Sequence, residues 1–270
     1  MAISDFKRKN ALKREWDALM KREQAYLTRQ SGQKESALNR LLADKVPDKL
    51  QATLDAAFEK AFTLIFEKGT GIIEKTCNKT AIENRYKLNS YADNFSPTRK
   101  TLRAFSKDAK RAGGVNLLIS GLSGVGLGLF GVGLPDIPLF TAMLLKSIYE
   151  IALSYGFSYD TPQEKYFILL VIEGALSHGE HLDRVNAAVD AFICTPRLSE
   201  NPPLQSHIKS AAAGLSKELL YMKFLQGAPI VGAVGGAYDA IYINQVASYA
   251  RLKYEKRFLY DKMRGIHVPD

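Results

Sequence analysis

Cysteine is scarce. Cys77 and Cys194 are the only thiols in 270 residues, too few for a disulfide framework or a four-thiolate zinc site. Reduced thiols in a cytosolic setting are the economical expectation. The N-terminal stretch MAISDFKRKNALKREWDALM has neither an apolar core segment nor a small-residue cleavage site, so no secretory leader is expected there. Alternating strand patterns are missing throughout, and no nucleic-acid reader motif accompanies the basic charge. Disorder is excluded as well, because 46% of the residues are hydrophobic and 24% charged.

What is present is helical spacing punctuated by Gly and Pro. It predicts an all-α fold, a single compact multi-helix domain of about eight to ten helices. Residues 1–45 read as a basic N-terminal helical arm, 46–264 as the helical domain and 265–270 as a tail. The net charge of +9 is unevenly placed: residues 1–111 carry 24 Lys and Arg against 14 Asp and Glu, whereas 112–270 carry 13 against 14. Such asymmetry bears on partners rather than on fold. Within the arm, Phe6, Trp16, Met20 and Leu27 recur at helical spacing among basic residues. This is a basic amphipathic helix, either lying on a membrane with Trp16 at headgroup level or packing a thin apolar stripe on the body. Further helices are predicted from Val46-Pro47-Asp48 to Lys68, from Ser96-Pro97 to Arg111, from Leu139 to Tyr155, and after the capping box Thr161-Pro162-Gln163-Glu164.

Between Gly113 and Leu134 no side chain is charged, and eight of the 22 residues are glycine. Gly121, Gly124, Gly128 and Gly131 share one helical stripe, as do Gly232, Gly236 and Ala240 in a second apolar stretch. Two glycine-faced apolar helices packed together are therefore expected. The alternative is a two-span integral protein that leaves the cytosol through 113–134 and returns through 228–250. Gly126, Gly128 and Gly131 also spell G-x-G-x-x-G, but no strand precedes them, so a dinucleotide site is not expected.

Residues with chemistry to offer are few. Asp136 follows the glycine run and suits a helix N-cap, while Asp239 stands alone in an apolar stretch; both are weak catalytic candidates. His178 and His181 lie three apart beside Glu180 and Asp183, a weak metal candidate without a third ligand in H-E-x-x-H spacing. No metal or other cofactor is expected. Lys7, Arg8, Lys9 and Arg14 at one end, and Arg251, Lys253, Lys256 and Arg257 at the other, are the candidates for facing an anionic membrane.

Several stretches resemble the EcsC protein family: Gly121–Pro138 with its glycine run into Leu-Pro-Asp-Ile-Pro, Ile148–Phe157, Gly227–Ala233 before Tyr249-Ala250, and Pro47–Gly71. The likeness runs from about Pro47 to Leu259. It implies an association with an ABC transporter system and carries no reaction or catalytic set. The expectation is a non-catalytic accessory or interaction protein on the inner face of the membrane, with an anionic lipid surface or a membrane protein as partner and no nucleic acid. A hydrolase built on the carboxylates or the His cluster is the alternative.

Overall fold

The computed structural model describes residues 2–31, 48–68, 73, 77–112, 136–195, 203–225 and 236–265. Among these residues there are nine helices and no strand: α1 (Ala2–Ser31), α2 (Asp48–Lys68), α3 (Lys79–Phe95), α4 (Arg99–Ala112), α5 (Asp136–Ser154), α6 (Pro162–Leu176), α7 (Gly179–Cys194), α8 (Leu204–Leu225) and α9 (Gly236–Arg264). The fold is all-α. Gly121, Gly124, Gly128, Gly131 and Gly232 lie outside the described residues. So does the expected packing of two glycine faces, although Gly236 opens α9 and Ala240 is half-buried in it.

Local chemistry sets the helix ends. Thr161 accepts the Glu164 amide at 3.2 Å, as the capping box predicts, with Pro162 in the first turn. At α4 the cap is Thr98 rather than the expected Ser96. Thr98 Oγ1 accepts the Thr101 amide at 3.2 Å and Thr101 Oγ1 accepts the Thr98 amide at 3.0 Å, whereas Ser96 closes α3 by donating its own amide to Ala92. After α5 the chain turns at Gly156, where φ is +83° and the Phe157 amide returns to the Ala152 carbonyl at 3.0 Å. A Cβ there would stand 2.3 Å from the Tyr86 ring, so glycine serves both the turn and the close approach of α3.

Helix α9 is the axis of the assembly. It packs against α1, α4, α5, α6 and α7, while α8 closes the far side on α2 and α6. The central stretch of α6, Phe167–Ile172, is buried all round, as its sequence predicts. Helix α5 contains the one stretch among the described residues, Ile137–Ser154, that is long and apolar enough to cross a membrane, and 83% of it is buried against the rest of the protein. Helix α1 joins the same core through Leu12, Leu19 and Tyr26. Trp16 is half-buried against that core, with its ring 6.4 Å from that of Tyr260, so it does not stand free at a headgroup level.

Where α6 crosses α9, a Cβ on Gly174 would fall 2.7 Å from the Tyr249 ring. That ring is fully buried, tilted against Tyr26, and tethered by its hydroxyl to Asn186 Oδ1 at 2.8 Å, so it cannot yield. Gly174→Ala is therefore expected to cost about 1–3 kcal/mol through overpacking. A urea midpoint equal to that of the parent chain would show that the crossing tolerates a methyl group.

Candidate functional site

Past Tyr249, α9 changes from apolar to charged and yet stays inside. Lys253 is 0% exposed; its Nζ donates to Glu23 of α1 and, at 2.8 Å, to Asp190 of α7. Lys256 donates to the same two carboxylates, at 2.8 Å each. Two ammoniums and two carboxylates thus form a neutral closed ring in which every charge meets two of opposite sign, the arrangement that lets buried ions persist. Burial alone would lower the Lys256 pKa, but its bonds to Asp190 and Glu23 raise it above the ordinary value.

The seam continues on both sides. Arg22 of α1 grips Glu255 through two bonds, at 2.7 and 3.1 Å. Arg257 donates to one oxygen of the buried Glu164 at 2.7 Å, and the Tyr254 hydroxyl donates to the other at 2.6 Å. The Arg257 guanidinium also lies over the rings of Phe157, Phe167 and Phe192, 4.1 Å from the first. Lys262 donates to Asp93, 1% exposed, which also accepts the Thr101 hydroxyl, both at 2.7 Å. Lys253, Lys256 and Arg257, expected to face a membrane, are therefore turned inward. Their partners on α1, α6 and α7 provide what a lipid surface was expected to provide.

Of the remaining basic candidates, Lys7, Lys9 and Arg14 are exposed and Arg8 is half-buried. His178 and His181 do not converge. His178 precedes the first turn of α7 without a side-chain cap bond, so Gly179 opens a helix rather than ending one. His181 Nε2 lies 3.5 Å from Glu173, whose other oxygen is 3.3 Å from His207 Nδ1. Among the described residues no cluster of His, Cys, Asp and Glu is arranged to hold a metal ion. Asp136 begins α5 and Asp239 sits in the first turn of α9; their side chains lie outside the described set.

Two cavities have charged walls. The first, about 330 Å³, lies among α3, α4 and α5 and is lined by Arg85, Asp108, Lys146 and Glu150. Burial raises the Glu150 pKa, an effect that Lys146 opposes. The nearby Cys77 thiol is pushed up to about 12, first by burial and then by the Glu150 charge, so it stays protonated at neutral pH and is a poor nucleophile. The second, an open groove of about 600 Å³, runs between α1, α4 and α9 past the end of α5. Its walls carry Arg22, Arg29, Lys107, Lys110 and Arg251 against the single carboxylate of Glu255. Three helices far apart in sequence contribute these cations, so no spacing in the chain announces the groove.

A third feature is the outer face of α3. Leu88, Tyr91 and Phe95, spaced three and four apart, are 70%, 74% and 82% exposed. Arg85 and Lys87, both exposed, flank this strip on either side of the helix.

A family model described as the EcsC protein family matches residues 11–259. The chain belongs to the EcsC protein family. The match begins well before the Pro47 boundary expected from sequence and takes in most of α1. The EcsC span therefore contains Glu23, Glu164, Asp190, Lys253, Lys256 and Arg257, so the central charge seam lies within it. The groove cations Arg22, Arg29, Lys107, Lys110 and Arg251 also fall inside the EcsC span. Comparison with curated proteins and with solved structures yields no match.

Proposed function

We propose that this EcsC family member is a non-catalytic accessory protein that associates peripherally with an anionic membrane surface. The observation that carries the reading is the α3 strip: three large apolar side chains left in solvent on one helical face, bordered by Arg85 and Lys87. An interfacial helix has this composition, with apolar groups entering the acyl boundary and cations meeting headgroups. The exposed Lys7, Lys9, Lys13 and Arg14 of α1 add to the long-range attraction. The transporter association implied by the family resemblance agrees with a place at the membrane.

Sedimentation with vesicles tests it. The full chain is expected to bind vesicles containing phosphatidylglycerol and to bind pure phosphatidylcholine weakly, with binding that falls as salt is raised. Replacing Leu88, Tyr91 and Phe95 together by Ser is expected to reduce binding at least tenfold with little change in melting temperature, because the three are largely exposed. Recovery of the parent chain wholly in the supernatant at low salt defeats the proposal.

A further inference from the structure

In the groove between α1, α4 and α9, Arg22 is already committed to Glu255. The other four cations, Arg29, Lys107, Lys110 and Arg251, have no carboxylate partner among the described residues. Arg29 lies over the Tyr26 ring and Arg251 donates to Ser248 Oγ at 3.0 Å. The inner wall is Tyr155, 1% exposed, whose hydroxyl has no hydrogen-bond partner of ordinary geometry and only a weak interaction with the neighbouring Ser106. Burial first and the Glu255 charge second hold its pKa well above the ordinary value, so it keeps its proton and has a hydrogen to donate. Leaving such a group dry and unpaired is costly.

Guanidinium, ammonium, phenol and serine hydroxyl groups thus line one groove, and the groove lacks a multiply charged acceptor. We propose that it binds the terminal phosphate of a phosphate monoester, with Arg251 and the Tyr155 hydroxyl donating to its oxygens and Arg29, Lys107 and Lys110 balancing its charge. Arginine suits this role because its planar fork can present two donors to one phosphate. The groove's 600 Å³ also leaves room for the organic part of the ester. The ester is either soluble or a lipid headgroup of the phosphatidic acid kind; the shared chemistry is the terminal dianion. This inference does not rest on the membrane reading, since attraction to a charged surface through α1 and α3 needs no groove.

The test uses the full chain, Tyr155→Phe and Arg251→Gln. The probes are inorganic phosphate and glycerol 3-phosphate in solution, and vesicles carrying phosphatidic acid or phosphatidylglycerol at equal surface charge. Both soluble probes are expected to raise the melting temperature of the parent chain, and each variant to lose at least tenfold in affinity. Tyr155→Phe should melt no lower than the parent without ligand, because it removes an unpaired hydroxyl. A preference for phosphatidic acid that disappears in the variants identifies a headgroup, whereas binding of the soluble probes without that preference identifies a soluble ester; both support the site. Equal affinities in parent and variants, or no binding of any monoester, overturn it and assign the Tyr155 hydroxyl to an ordered water. In that case binding to phosphatidylglycerol vesicles through α3 would still stand. The converse, monoester binding without vesicle binding, would overturn only the membrane reading.

Discussion

Lys253→Met is expected to lower the melting temperature by roughly 10 °C, at about 2–4 °C per kcal/mol for a chain of this size. Methionine nearly fills the space of the lysine stem, so the loss is electrostatic. Glu23, which is buried, and Asp190 would be left sharing the single ammonium of Lys256. Removing one partner from a buried ion cluster costs about 3–5 kcal/mol, because the remaining charges keep their desolvation penalty and lose part of their compensation. Adding Glu23→Gln to Lys253→Met is expected to restore part of the loss, since Lys256 and Asp190 then pair one to one, and the cycle reads the coupling directly. The raised Lys256 pKa gives the sign of the pH dependence. A base held above its unfolded value contributes stability that is fully present below the ordinary 10.5 and disappears as pH rises through the folded value. The cluster's contribution through Lys256 is therefore flat around neutrality and lost only under alkaline conditions. A parent-like melting curve for Lys253→Met would show that the ring is not a structural tie.

Arg257→Ala is expected to be of comparable severity, again about 3–5 kcal/mol. It strands the buried Glu164 carboxylate with only the Tyr254 hydroxyl, and it empties the space bounded by Phe157, Phe167 and Phe192. Arg257→Lys separates the two causes. Lysine keeps the charge but lacks the planar group that lies across three rings, so it is expected to recover only part of the stability. Full recovery by lysine would reduce the aromatic contact to a bystander. Chemical denaturation of the three chains, parent, Ala and Lys, decides between these outcomes.

Much of the fold could be read from local pattern. The capping box at Thr161, the start near Asp48 and the stop at Gly156 all depend on residues within a turn of one another, and the structure places them as expected. Helix α3 could not be read in the same way. Its large apolar residues Leu88, Tyr91 and Phe95 face outward, so no core stripe marks it. The inward turn of Lys253 was hidden for a different reason: its partners lie 230 and 63 residues away, and a basic run after an apolar one looks like a rim. One local clue existed, because Val246, Ala250 and Lys253 continue a single spacing of four and three, which puts the lysine on the core side of α9. The groove had no such clue, since its cations meet only when α1, α4 and α9 come together.

The tie between α1 and α9 also orders events during synthesis. Glu23 leaves the ribosome about 230 residues ahead of Lys253, an interval on the order of 10–50 s at about 5–20 residues per second. In that interval α1 can be held by α4, through the contacts of Arg99 and Arg103 with Glu15, and by α7 once it is made, while Tyr26 still awaits the Tyr249 ring of α9. A chain halted before α9 therefore carries an uncovered apolar stripe beside stranded carboxylates, and such nascent chains are expected to be the form that chaperones hold.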